Sequence, residues 1–334
     1  MIDYIVKLFI YTITLINIIY SQIALPTFHG AHKTHVSSAS SSGTFTFTNC
    51  SATGRLGPTQ SQVNSAYTSE NSLYNSITIN DQGIQEWTVP ATATYTIEAW
   101  GAKGGGDNVG GLGARIKGDF SLSKDDVIKI VVGQKGGLAG NDNTSSGGGG
   151  TYVIKSPYNS NASILVIAGG GGGSPGSSDY QSGGFDDGQV GTNGARGYGS
   201  TSYSDGGING NGAGTSSTRA SAGGGFFTNG ADNGQSSSFG TGGKAFVNGS
   251  EGGEDLYTYS GGGIDGGFGG GGCGMVSGYR GSGGGGGYSG GGTGTHNSNT
   301  SNHQGGGGGS YNNGSNQDNA SGIWNDHGKV VISY

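Results

Sequence analysis

From Gly169 to Gly322 the chain consists mainly of Gly, Ser, Asn, Asp and Thr, and then a strand-like segment, KVVISY (329–334), appears at its end. That order constrains the fold more than any other feature. Stretches such as GGIDGGFGGGGCGMVSGYRGSGGGGGYSGGGTG (262–294) offer almost no side chains from which to build a core. They are punctuated by single aromatics, Phe185, Tyr198, Phe227, Phe239, Phe268, Tyr279 and Tyr288. For KVVISY to join the same sheet as ILVIAG (164–169), the glycine-rich block must be an excursion whose two ends meet. Loop closure permits this, since each doubling of loop length costs only about 0.6 kcal/mol. The 79 glycines in 334 residues are about three times average usage. With only 5 prolines and no Gly-X-Y period, neither a collagen helix nor a proline-rich linker accounts for them.

Most apolar residues lie before residue 169, in short strand-like segments. TFTFTN (44–49) and TYTIEAW (94–100) alternate, with Tyr95, Ile97 and Ala99 on one face and Thr94, Thr96, Glu98 and Trp100 on the other. SITI (76–79), IQEWTV (84–89), ARIKGDFSL (114–122), VIKIVVG (127–133), TYVIK (151–155) and ILVIAG (164–169) follow the same logic. LSKDDVIKI reads as strand, tight turn and strand, with Lys124, Asp125 and Asp126 at the tip. Regular short strands without a helical period predict an all-β antiparallel sandwich of jelly-roll type.

The N-terminus, MIDYIVKLFIYTITLINIIYS (1–21), has Lys7, an apolar run from Leu8 to Tyr20 and a small residue at Ser21, the pattern of a secretory signal peptide. The run is shorter than the roughly 20 residues of a spanning helix, so no membrane span is expected after processing. Residues 22–43 form a polar, serine-rich leader, whose His29, His32 and His35 read as solvated side chains. The predicted organisation is therefore signal peptide 1–21, leader 22–43, sandwich 44–168, glycine-rich insertion 169–322 and returning strand 323–334. Sequons at Asn49, Asn143, Asn161, Asn248, Asn299, Asn313 and Asn319 accord with a secreted, extracellular glycoprotein. Cys50 and Cys273 are too few for a disulfide scaffold; they either pair with each other or both stay free. A formal charge of −6, with Arg196, Arg219 and Arg280 standing alone among the glycines, excludes a nucleic-acid footprint.

Several stretches also carry a family resemblance. FTFTNCSATGRLGPTQSQVNSAY (45–67), GIQEWTVPATATYTIEAWGAKGG (83–105), KDDVIKIVVGQKG (124–136), GGGGTYVIK (147–155), ILVIAGGGGG (164–173), GGFGGGGCG (266–274), SGGGGGYSGG (282–291) and HGKVVISY (327–334) occur in that order. Together they resemble the extracellular glycine-rich domain of the anaplastic lymphoma kinase and leukocyte tyrosine kinase receptors. The resemblance implies a tumour necrosis factor-like β-sandwich with an inserted bundle of polyglycine II helices. Such helices are extended, left-handed and three residues per turn; without Cβ atoms they approach closely and bond laterally through the backbone. The resemblance also places a cysteine where Val63 stands here, leaving Cys50 without the local partner found in that family.

No kinase signature, nucleophile elbow, H-E-x-x-H or Cys-x-x-Cys occurs, and no cofactor or enzymatic activity is expected. Asp125/Asp126 and Asp186/Asp187 read as turn residues, and GGIDGGFGG lacks the nonapeptide period of calcium-binding repeats. The expected function is a binding module for an extracellular protein or cell-surface partner. The alternative is a structural or adhesive matrix or coat protein that self-associates through glycine-rich edges.

Overall fold

A computed structural model describes residues 43–106, 109–138, 144–175, 185–200, 202–215, 219–257, 263–277, 279–296 and 303–334. The expected signal peptide, the three leader histidines, Asn143 and Asn299 lie outside the described residues.

In chain order the strands are β1 (Thr44–Phe47), β2 (Ile77–Thr78), β3 (Ile84–Thr88), β4 (Ala93–Trp100), β5 (Gly113–Leu122), β6 (Val127–Val131), β7 (Thr151–Lys155) and β8 (Ile164–Ala168). Within the glycine-rich part come β9 (Tyr198–Gly199), β10 (Ser202–Tyr203), β11 (Met275–Ser277), β12 (Tyr279–Ser282), β13 (Gly294–His296) and β14 (His303–Gln304). The chain then returns through β15 (Tyr311–Asn312), β16 (Ser315–Trp324) and β17 (Lys329–Ser333). One sheet has the order β1-β17-β4-β5-β16 and the other β15-β8-β7-β6-β3-β2, with antiparallel pairing throughout. KVVISY thus lies between the first strand and TYTIEAW, and both sheets regain the chain from residue 311 onward.

The two sheets face each other across one cluster. Phe47, Tyr95, Ile97, Ile116, Val330 and Ile332 from the first sheet meet Trp87, Ile128, Ile130, Val153, Leu165 and Val166 from the second. On β4 the alternation holds: Tyr95, Ile97 and Ala99 are fully buried, while Thr94, Thr96, Glu98 and Trp100 keep solvent contact. The Ser123–Asp126 turn also forms as expected, with Asp125 at φ 71° and the Asp126 amide donating to Ser123 O.

A helix and a polar strand lie outside the segments read from the sequence as strands. Gln60–Ala66 is a short helix, α1. Its start is a capping box: Thr59 Oγ1 accepts from the Gln62 amide while Gln62 Oε1 accepts from the Thr59 amide. Val63 is its buried residue and joins the sandwich core. Strand β16 is polar and exposed along most of its length, SNQDNASGIW, and pairs with β5 through two register irregularities.

Strands β7 and β8 show why the glycine-rich part docks where it does. Their residues are buried on both faces, a pattern of continuous rather than alternating hydrophobicity. Val153 and Val166 face the sandwich, whereas Tyr152, Ile154, Ile164 and Ile167 form a second cluster with Phe226, Phe246, Phe268 and Tyr288. The second sheet is therefore covered on its outer face by aromatics supplied from the glycine-rich part. Phe226 and Phe246 stack 5.2 Å apart, and Tyr152 lies 5.5 Å from Phe246.

Beyond that seam the chain is held by its backbone. Gly148 N donates to Gly171 O, Gly170 N to Gly286 O and Gly286 N back to Gly148 O, at 2.8, 2.8 and 2.9 Å, tying three distant segments together. Gly285 N to Gly306 O and Gly306 N to Gly292 O extend the array. Loops of the sandwich enter it too: Gly171 donates to Ala102, and Gly147 to Gly272. Each bond nets only about 0.5–1.5 kcal/mol, but leaving a buried backbone group unpaired costs more. Side chains are excluded by geometry. A Cβ on Gly147 would fall on the carbonyl of Gly284, and one on Gly291 on that of Gly306. At Gly57 (φ 68°) and Gly83 (φ 90°) the ring of Phe268 occupies the space a Cβ would need, and the backbone conformation itself demands glycine.

Candidate recognition surface

A frame held by backbone bonds can present the few large side chains it carries at fixed positions. Two segments of the glycine-rich part run side by side: Gly194 N donates to Gly207 O and Gly197 N to Ser204 O, each at 3.0 Å. Strand β10 then pairs with β13, with Tyr203 opposite Gly294, so no side chain crowds the tyrosine from across the ladder.

This arrangement displays Arg196 between two exposed rings. Its guanidinium carbon lies 5.3 Å from the Phe185 ring centre and 5.2 Å from that of Tyr203. Phe185 is 41% exposed and Tyr203 47%. Tyr203 also lines a groove of about 480 Å³ with Asp205, Ile208 and Asn211, where Ile208 is 55% exposed. Among the described residues Arg196 is held by the two rings rather than by a carboxylate. Its five donors remain available for a partner, and stacking on rings already orients them. Exposed aromatic and arginine side chains clustered on a rigid surface have the composition of protein-contact hot spots.

The other residues singled out by the sequence are dispersed. Cys50 and Cys273 are both free and buried. Cys50 sits in the sandwich core with Val63, and burial pushes its thiol up. Cys273 packs in the glycine array with its sulfur 3.1 Å from Ser221 Oγ, and burial raises its pKa to about 12. Neither is a poised thiolate. Asn161, Asn248, Asn313 and Asn319 are exposed, while Asn49 is half-buried and donates to Ala52 O at 2.7 Å. Asp186 is buried and accepts from Ser174 Oγ at 3.1 Å; Asp187 accepts from the Leu112 amide at 2.7 Å. The first bond lies within the glycine-rich part and the second ties it to the loop before β5. Among the described residues no cluster of three metal-ligating side chains forms. Nor is any helix among the described residues long and apolar enough to cross a membrane.

Of the scattered aromatics, Phe268 and Tyr288 are buried in the seam and Phe227 packs against it. Phe239 pairs edge-on with Tyr257, and Phe185 faces solvent. The side chain of Tyr279 lies outside the described set. The sequence signals an isolated aromatic at each position but not which ones the fold leaves outside.

No protein-family model matches the chain. A stretch of 102 residues is 36% identical to the leukocyte tyrosine kinase receptor of Mus musculus, covering 28% of this chain and 11% of that receptor. This partial similarity supports a distant relationship at most, and the chain spans a small fraction of the receptor it matches.

Proposed function

We propose that this chain is a secreted, non-catalytic glycine-rich β-sandwich module that binds an extracellular protein or a cell-surface partner. In this reading the sandwich is of the tumour necrosis factor-like jelly-roll type and the glycine array a bundle of polyglycine II helices. The partial similarity to a receptor tyrosine kinase supports a receptor-like role. The observation that carries the reading is the exposed Phe185–Arg196–Tyr203 stack beside the Ile208 groove. An alanine in place of a hot-spot anchor costs about 2 kcal/mol or more, a loss of affinity of roughly 30-fold. The test is titration of labelled, secreted full-length chain against intact cells and fractionated extracellular medium. Saturable binding that weakens to that extent in Arg196→Ala and Tyr203→Ala supports the proposal; no saturable binding in either source overturns it.

A second reading, a self-associating matrix or coat protein, is favoured by β16, a long exposed edge that pairs on one side with β5. Sedimentation over a wide concentration range separates the two. A strict monomer at high concentration removes the matrix reading.

A further inference from the structure

Asn248 differs from the other described sequon asparagines in its surroundings. It lies at the end of a 3-10 turn, Phe246–Asn248, and lines a groove of about 670 Å³ where the second sheet meets the glycine-rich part. The same groove is lined by Asn80, Asp81 and Gln82 from the β2–β3 turn, together with Asn159 and Tyr158. Carboxamides and a carboxylate supply paired donors and acceptors of the kind that match vicinal hydroxyls, and an aromatic face accepts the C–H side of a sugar ring. The Tyr158 ring is held in place by its hydroxyl, which donates to Val127 O at 3.1 Å, and by Lys129 Nζ 5.1 Å from the ring centre.

The hydroxyl of Ser250 supplies an independent observation. It is fully buried and has no hydrogen-bond partner among the described residues. A buried unpaired hydroxyl costs about 1–3 kcal/mol, so folding alone gives no reason for a serine there. The triplet Asn248-Gly249-Ser250 gives one: the sequon requires that hydroxyl before folding, during glycan transfer. Nor does modification conflict with the local bonding. Asn248 Nδ2 donates to Asn229 Oδ1 at 2.8 Å, and an amide with two N–H groups keeps one after substitution.

We infer that Asn248 carries an N-linked oligosaccharide whose first sugars occupy the groove between the glycine-rich part and the β2–β3 turn. The inference rests on the secreted reading. In the transfer, Asn248 Nδ2 bonds to the anomeric carbon of a lipid-pyrophosphate-linked oligosaccharide. The bond from that carbon to the pyrophosphate oxygen breaks, and the amide proton leaves with the lipid pyrophosphate. The attached sugar then acts as a wedge between the two parts of the molecule.

The test uses full-length chain secreted from a eukaryotic host, with site-resolved mass spectrometry and amide exchange. The control is Ser250→Ala, which deletes the sequon and removes only an unpaired hydroxyl. The expected result is a glycan on Asn248 in the parent, none there in Ser250→Ala, and a several-fold faster exchange in residues 79–84 and 157–160 of that variant, with 329–333 unchanged. Sugar on Asn313 or Asn319 with Asn248 bare overturns the inference and leaves the secreted reading intact. A glycan on Asn248 with no exchange difference overturns its seat in the groove. No glycan on any sequon of the secreted chain overturns the inference, and failure of the host to secrete the chain overturns the reading on which it rests.

Discussion

The sandwich and the glycine-rich part solve the same problem, excluding water from a folded interior, with opposite materials. Between the sheets, volume does the work: Phe47, Trp87, Tyr95, Ile97, Ile116 and Ile130 fill the space, and the backbone is satisfied by regular ladders. In the glycine array the interior is the backbone itself, and segments from four regions of the chain bond one another directly. The difference lies in tolerance. A packed apolar core accepts volume-conserving exchanges at less than about 1.5 kcal/mol. At positions such as Gly147 and Gly291, where a Cβ would coincide with a carbonyl oxygen, the array accepts nothing larger than hydrogen. It also forgoes the roughly 1.5–3 kcal/mol that each buried aliphatic or aromatic side chain contributes. The array must therefore borrow apolar contacts from elsewhere, and it does so at the outer face of β7 and β8.

That borrowing makes the seam the most sensitive place to separate the two regions. Phe268→Ala removes a ring fully buried against Gly57 and Gly83 and is expected to cost about 3–5 kcal/mol. If the seam holds the array in place, calorimetry will show the single transition of the parent splitting in two. Next, Gly147→Ala places a methyl on a carbonyl that no rotamer change can move aside. We expect a loss of about 3 kcal/mol or more, at the top of the overpacking range, where Ile97→Val in the sandwich loses about 0.5–1.5. Comparable losses in the two variants would erase the contrast drawn here.

An alkaline limb probes the array from inside. Burial, reinforced by the carboxylates of Asp255 and Asp265 and opposed by the Ser221 hydroxyl, raises Cys273 from 9.0 to about 12. The unfolded thiol ionises first. Stability from the neutral thiol is fully present below pH 9 and is lost as pH rises toward 12, because the native state then binds more protons than the unfolded one. Cys273→Ala should flatten the fall in melting temperature between pH 9 and 10.5; an unchanged slope would remove Cys273 as its cause. Smaller still, Tyr152→Phe deletes a hydroxyl that donates to Gly287 O at 3.0 Å, linking β7 to the array, at a cost of about 1 kcal/mol in chemical denaturation. Arg55→Ala removes partly exposed ion pairs to Glu251 and Glu254 and should change stability by less than about 1 kcal/mol, an effect that salt reduces.

The contrast also explains what could be read from the amino acids. TYTIEAW announces a strand by its alternation, and VIKIVV, TYVIK, ILVIA and KVVIS by short runs rich in β-branched apolar residues; the structure contains all five. Strand β16 gives no such signal: an edge exposed on both faces needs no apolar alternation, and SNQDNAS resembles a loop. Helix α1 is too short for a period, and its one legible mark is the capping pair Thr59 and Gln62. In the glycine-rich part the pairing of Gly148 with Gly171 and of Gly170 with Gly286 is invisible, since every glycine offers the same donor and acceptor. The Arg196 stack suffers likewise: Phe185, Arg196 and Tyr203 are separated by unrelated residues and come together only through backbone pairing.

The central claim is that backbone bonds, anchored at the apolar seam on β7 and β8, hold the interior of the array as firmly as side chains hold the sandwich. Amide hydrogen exchange tests it most directly, comparing peptides covering Gly148, Gly170 and Gly286 with those covering Ile97 and Val330. The account predicts protection of the three glycine segments comparable to that of β4 and β17. Exchange of the glycine amides at unprotected rates, while β4 and β17 stay protected, would contradict it.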